Sequence, residues 1–342
     1  MISLLHRANA RRARIMTDSP ANGHAILQLT AQDRHQLVAL TSALEPHEPR
    51  YAEEYCRTAR DAVGDLPQRV KRALADFARW SSPSGTLLLR GLPVGDVPGT
   101  PSDNTQHIGE RTRLARIQAI FGETLGNLVA YEAEGDGRLF QDMVPARAAA
   151  HRQTSLGSRA ELEVHTEQAF SALRPDFLML GCIRGDPDAR TFTLTARQIA
   201  RHVDEPVLWK PLWTTGVDES FRLGGHTFLD GDVRGPIPVL HGTPEDPFVV
   251  FDQDLMTSTD KAARRAFRSV VEIYQRERRQ HVLAAGDLLV IDNRRALHGR
   301  SSFSPRFDGS DRFIIRCFVT ADLGRSRYAR PGDGRTIGAR FS

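Results

Sequence analysis

Gly286-Asp287-Leu288-Leu289-Val290-Ile291-Asp292-Asn293-Arg294-Arg295-Ala296-Leu297-His298-Gly299-Arg300 decides how the rest of this chain is read. The four apolar residues Leu288 to Ile291, bounded by Gly286-Asp287 and Asp292-Asn293, have the form of a short strand buried on both faces. His298 follows close behind, so it belongs to the same buried sheet region. A second histidine is placed similarly, because Val164-His165-Thr166-Glu167 precedes the apolar run Phe177-Leu178-Met179-Leu180. In an extended strand, residues two apart point to one face, so His165 and Glu167 share a face that Thr166 avoids.

Two imidazoles and one carboxylate suit Fe(II), and three protein ligands on one face of the ion leave the other positions open for a cosubstrate and O2. His-x-Glu alone is a short pattern that also arises by chance, and the strand context of both histidines gives it weight. A zinc peptidase would instead carry two His four apart on a helix with a Glu between them, a pattern this sequence lacks. His6, His151 and His281 read as surface or structural residues, and no spacing suggests a second metal site.

Several longer stretches carry a family resemblance. His165-Thr-Glu-Gln-Ala-Phe170, Arg174-Pro-Asp-Phe177, Gly286 to Asn293, and His298 to Arg312 resemble the clavaminate synthase-like branch of Fe(II)/2-oxoglutarate oxygenases. The resemblance runs from about Leu87 to the C-terminus. Within the branch, Ala130 to Gly135, Phe140 to Pro145, Trp213 to Phe221, Phe251 to Met256 and Gly338 to Ser342 look most like bacterial hydroxylases of free L-lysine, particularly those acting at carbon 3. The resemblance implies Fe(II) as cofactor, held by His165, Glu167 and His298, with 2-oxoglutarate and O2 as cosubstrates. It implies that Arg312 pairs with the distal carboxylate of 2-oxoglutarate, where a planar guanidinium can bind both oxygens. Thr191 supports that carboxylate, with Thr193 as a competitor. Arg316 would hold the substrate α-carboxylate, and Gln141 and Ser155 lie near its head group.

Asp252 and Asp254 match acidic positions that take the cationic end of the substrate in arginine hydroxylases. A cation entering an enclosed site needs carboxylates to offset its lost hydration. Asp218 and Glu219 are secondary candidates for this role, followed by Glu132 and Glu134. The competing reading makes Asp252 and Asp254 turn residues, since Asp readily bonds nearby backbone. The implied activity is hydroxylation of a free cationic amino acid, L-lysine at carbon 3, with release of succinate and CO2. Arginine, asparagine, a carrier-bound amino acid or lysine carbon 4 are the alternatives, and a non-catalytic metal-binding jelly roll is a further one.

Apolar spacing at Leu37, Leu40 and Leu44, at Val70, Leu74 and Phe77 after Pro67, and across residues 111–128 predicts helices early in the chain. Thr86 to Arg90 reads as a strand, Val97 to Gln106 as a loop, and strands dominate from Leu139 onward. Short helices are expected near Ala196 to His202 and Thr259 to Arg278, the second as a solvated surface helix. The expected fold is mixed α/β and mainly β, a double-stranded β-helix or jelly roll flanked by N-terminal helices. Residues 26–342 read as one domain and residues 1–25 as a flexible leader, with Met16 as an alternative start. Gly135-Asp136-Gly137 and His151 to Gly157 read as a lid or as ordinary surface connections.

The chain has 342 residues, 40% hydrophobic and 26% charged, in keeping with an ordinary globular protein. A net charge of +4 and 7% aromatics, without a basic aromatic-laced face, argue against nucleic-acid binding. No stretch approaches the length of a membrane span, and the N-terminal charge order is wrong for a secretory signal. Cys56, Cys182 and Cys317 are odd in number and widely spaced, which suits buried thiols in a reducing cytoplasm rather than a disulfide or zinc framework. A homo-oligomer is left open.

Overall fold

The computed structural model describes residues 25–203, 206–222, 225 and 227–342. The expected leader therefore lies outside the described residues except for Ala25. Four helices come early: α1 (Ala31–Ser42), α2 (Ala52–Asp61), α3 (Gln68–Trp80) and α4 (Arg113–Leu125). Helix α1 starts where the Thr30 hydroxyl accepts the Asp33 N–H at 3.1 Å and the Asp33 carboxylate accepts the Thr30 N–H at 2.9 Å. Helix α3 follows Pro67 and buries Val70, Leu74 and Phe77, as their spacing predicts. Helix α4 is shorter than expected. It stops at Gly126, where a Cβ would lie 2.5 Å from the Thr320 carbonyl, and Leu128 enters the next strand.

The strands up to the middle of the chain are β1 (Ala25–Gln28), β2 (Thr86–Arg90), β3 (Asn127–Tyr131), β4 (Gln141–Met143), β5 (Leu162–His165), β6 (Phe177–Arg184), β7 (Arg190–Thr195) and β8 (Trp213–Gly216). They continue as β9 (Val233–Ile237), β10 (Leu240–Thr243), β11 (Asp246–Val249), β12 (Met256–Thr257), β13 (Arg279–Val282), β14 (Leu288–Asp292), β15 (Ala296–Arg300), β16 (Phe313–Thr320) and β17 (Thr336–Ile337). A large sheet has the order β1-β2-β14-β6-β16-β3-β17, with β4 paired to β16 as well, and a smaller sheet has the order β13-β7-β15-β5. Strands β12-β8-β9 and the β10-β11 hairpin form the remaining pairings.

Alternation along the strands makes the layers. In β14, Leu288 and Val290 pack with the helices while Leu289 and Ile291 face inward. In β16, Ile315, Cys317 and Val319 pack outward on α4, so Arg316 falls on the inner face with Ile314 and Phe318. The smaller sheet turns Val164, Phe192, Leu194 and Leu297 away from the large one, against α5 (Ala196–His202) and α7 (Lys261–Glu277); α6 (Glu219–Arg222) is a single turn between them in sequence. The inner faces of the two sheets line one cavity. This is the double-stranded β-helix expected from the sequence.

Helix α7 departs from its reading as a solvated helix. Its arginines and glutamates lie on one side only, and Ala263, Ala266, Val270, Ile273 and Tyr274 are buried against the small sheet. All three cysteines are buried and unpaired with one another. Among the described residues no helix is long and apolar enough to cross a membrane.

Candidate active site and metal centre

Strand β5 ends at His165, whose Cα partner across β15 is His298, and their ring centroids lie 4.3 Å apart. Glu167 lies just past the end of β5 rather than inside it. Its direction still follows the strand rule, because Thr166 is held on the other side. The Thr166 N–H donates to the Phe251 carbonyl at 2.7 Å, and the Thr166 hydroxyl accepts the Phe251 N–H at 3.1 Å. Asn293 then clamps the Glu167 backbone: the Glu167 N–H donates to Asn293 Oδ1 at 2.8 Å, and Asn293 Nδ2 donates to the Glu167 carbonyl at 3.1 Å. The residue that terminates β14 thus sets the carboxylate ligand.

One donor atom from each of His165, Glu167 and His298 falls within 4.8 Å of the others, a set able to hold a single ion. His165 Nδ1 sits 2.7 Å from the Glu163 carbonyl, so donation there leaves Nε2 free as a ligand. Burial, with His165 alongside, pushes His298 down to about 4, which keeps its imidazole neutral as metal binding requires. Burial works against ionisation of Glu167, but the Arg316 guanidinium and the His298 ring outweigh it and hold this carboxyl low. His298 Nε2 lies 3.4 Å from Glu167 Oε2.

Arg316 reaches the same carboxylate from β16. Its Nη1 donates to Glu167 Oε1 at 3.0 Å, its Nε and Nη2 donate to Gln141 Oε1 at 3.1 and 2.5 Å, and it forms an ion pair with Glu134. Burial pushes Glu134 up despite that pair. One guanidinium therefore serves two buried carboxylates, and the Gln141 Nε2 beside it is buried without a partner.

Arg312 is different. It is buried, lines the cavity, and has no hydrogen bond or ion pair to another described residue; burial lowers its pKa. A buried cation without a partner is costly, so the arrangement fits an anion supplied from outside. Thr191 lines the cavity too, whereas the Thr193 hydroxyl meets His281 Nε2 at 3.1 Å and is not part of the wall. The residues present fit an Fe(II) ion at the His-Glu-His set and an anion at Arg312.

The cavity measures about 630 Å³, within the range of small-molecule sites. Asp252, Asp254, Asp218, Glu219 and Ser155 are all at its wall. Asp252 also makes a turn, since its Oδ1 accepts the N–H groups of Asp254 at 3.0 Å and Leu255 at 2.8 Å. Burial raises the Asp252 carboxyl. Asp254 sits at the exposed rim, and Asp218 Oδ1 accepts the Ser220 N–H at 2.7 Å. Glu132 also reaches the wall, but its Oε2 accepts the Ala339 N–H at 2.7 Å. Gly135-Asp136-Gly137 forms a tight turn with all three residues at positive φ.

Glu163, Arg300 and Asn293 were not singled out from the sequence. Two of them carried a signal, because Glu163 precedes His165 by two and Arg300 follows His298 by two, so each shares a strand face with a ligand. Asn293 had none, since its partner Glu167 is remote in sequence.

Two facing sheets with an inward His-Glu-His set and an unpaired buried arginine define a non-haem Fe(II), 2-oxoglutarate-dependent oxygenase. Residues 236–318 match the family model "Taurine catabolism dioxygenase TauD, TfdA family". L-lysine 3-hydroxylase of Catenulispora acidiphila is 49% identical over 93% of this chain and 90% of its own, and clavaminate synthase 2 of Streptomyces clavuligerus is 33% identical over 89% and 95%. The solved structure of an asparagine oxygenase with Fe(II), 3-hydroxyasparagine and succinate superposes with a TM-score of 0.85 at 35% identity, covering 92% of this chain and 99% of that one. The chain belongs to the clavaminate synthase-like Fe(II)/2-oxoglutarate-dependent oxygenases, the amino-acid hydroxylases among them, and Fe(II) and 2-oxoglutarate are its cofactor and cosubstrate.

Proposed function

We propose that this enzyme hydroxylates free L-lysine at carbon 3, releasing succinate and CO2. The observation that carries the reading is the polarity of the cavity. The wall of one cavity carries the Arg316 guanidinium and the acidic residues Asp252, Asp254 and Asp218, charges of both signs that suit an amino acid bearing a carboxylate and a cation. The likeness to L-lysine 3-hydroxylase supports it.

Bound Fe(II) and 2-oxoglutarate supply the oxidising power for C–H hydroxylation by O2. His165, Glu167 and His298 hold the metal, and Arg312 with Thr191 takes the distal carboxylate of the cosubstrate. Arg316 takes the substrate α-carboxylate, with the unpartnered Gln141 Nε2 and Ser155 beside the head group. Because Arg316 already touches the ligand Glu167 at 3.0 Å, a carboxylate held there would set the head of the amino acid beside the metal set, and carbon 3 is the first side-chain carbon from that head. The acidic wall then takes the ε-ammonium and stops the chain from sliding to present carbon 4.

The residues from 26 onward act as one domain in this reading, and the buried unpaired thiols suit a reducing cytoplasm. The test is succinate formation with product mass, using Fe(II), 2-oxoglutarate, O2 and a panel of free amino acids. The expected result is one added oxygen atom on L-lysine, abolished in His165→Ala, with carbon 3 assigned by NMR. Turnover of neither lysine nor arginine would remove the cationic-substrate reading, and coupled turnover of asparagine would replace it.

A further inference from the structure

Arg300 ends β15, two residues beyond His298 on the same inward face, with Thr191 and Leu162 as its neighbours across the sheet. It is buried. Its Nη1 donates to the Ser155 carbonyl at 3.2 Å and its Nε to the Ser301 carbonyl at 3.2 Å, and its guanidinium lies 5.2 Å from the Phe303 ring centroid. The remaining nitrogen, Nη2, is buried with no partner, and no described acidic residue forms an ion pair with this arginine.

The two buried arginines of the cavity wall other than Arg316, namely Arg300 and Arg312, therefore lack a carboxylate partner among the described residues. Arg316 has two. Arg300 is the cross-strand partner of Thr191, and Arg300, Thr191 and Arg312 line one wall of the same cavity. A pair of like charges withdrawn from water is unfavourable until an anion arrives between them or beside them. Of the two anions that the proposed reaction brings into the cavity, the substrate α-carboxylate goes to Arg316, and the far end of 2-oxoglutarate is the one that Arg312 takes.

We propose that Arg300 is a second cation of the cosubstrate subsite, positioning the distal carboxylate of 2-oxoglutarate together with Arg312 and, through the Ser155 carbonyl, fastening the segment Arg147 to Gly157 over the cavity when the cosubstrate is bound. The inference rests on the reading of Arg312 given above. A role confined to holding Ser155 in place would leave cosubstrate affinity unchanged and would tie down the segment whether or not 2-oxoglutarate is present.

The experiment is anaerobic calorimetric titration of 2-oxoglutarate into the Fe(II)-loaded full chain, for the parent protein and for Arg300→Gln, Arg300→Lys and Arg312→Gln. In parallel, trypsin cleavage after Arg147 and Arg152 is followed with and without 2-oxoglutarate. Loss of one charge-assisted hydrogen bond predicts roughly ten- to hundredfold weaker binding in Arg300→Gln, and a smaller loss in Arg300→Lys, which keeps the charge. In the parent, 2-oxoglutarate slows cleavage in the segment; in Arg300→Gln it gives no protection even at saturation. Unchanged affinity in both Arg300 variants, with Arg312→Gln weakened, overturns this inference alone. Unchanged affinity in Arg312→Gln shows that the subsite lies elsewhere and overturns both readings. Where Arg300→Gln melts too low to titrate, Arg300→Lys decides: parent-like affinity and protection overturn the inference, and weakened binding with reduced protection supports it.

Discussion

Arg316 is the residue on which the site turns. Its planar fork meets Glu167, Gln141 and Glu134 simultaneously, which the compact ammonium of lysine cannot do. Arg316→Lys is therefore expected to raise the KM for the amino acid by about tenfold or more while leaving the KM for 2-oxoglutarate nearly unchanged, as read by initial-rate kinetics with each varied in turn. A shift confined to the 2-oxoglutarate KM would mean that the roles of Arg312 and Arg316 are exchanged. At this scale the metal set was legible in a strand pattern, with His165 and Glu167 two apart, whereas Arg312, just before β16, and Arg316 within it were picked out by the family resemblance. Arg300 obeys the same rule but stood unremarked in a chain with 46 lysines and arginines, most of which are solvated. Whether an arginine lacks a partner is a property of its surroundings and leaves no trace in local sequence.

Elements are held by backbone fit and by helix packing. Gly286, in the turn that launches β14, has φ +83°, and a Cβ there would lie 2.6 Å from the Leu92 carbonyl. Gly286→Ala is expected to destabilise the fold by about 2 kcal/mol, seen as a lower denaturant midpoint at unchanged slope. His47, between α1 and α2, packs against Tyr55 and Phe140 at centroid distances of 5.0 and 5.7 Å, and neither ring nitrogen has a partner. Burial, reinforced by Arg138, pushes it down to about 4. The unfolded chain takes up this proton at higher pH than the folded one, so stability is lost as pH falls from the unfolded value toward 4. Between pH 7 and pH 5 the native protein should lose about 2 kcal/mol more than His47→Phe, measured by urea unfolding of both at each pH. Equal losses would show that His47 is solvated. The elements were legible where apolar spacing was regular, as in α3 and β14. They were misjudged where composition was weighed before periodicity, as in α7, whose charged residues conceal an apolar stripe.

The whole molecule is a stack: helices, large sheet, cavity, small sheet, and α5 with α7. Ligands that bind only the folded cavity must stabilise all of it. Fe(II) with 2-oxoglutarate at about a hundredfold excess over Kd is expected to add about 2.7 kcal/mol, visible as a rise in Tm under anaerobic conditions and largely lost in His165→Ala. No rise in the native protein would mean that the site does not assemble. The sequence by itself determined which residues are chemically able to hold a metal, and that buried strands present them. That information lies in residue type and in the two-residue period of a strand, both of which are local. Only the tertiary structure decided that Asn293 fixes Glu167, that Arg316 is shared between Glu134 and Glu167, and that Arg300 and Arg312 line one cavity without a carboxylate partner among the described residues. Those facts depend on which strands lie side by side and on which groups water cannot reach, and both arise from packing between segments far apart in the chain.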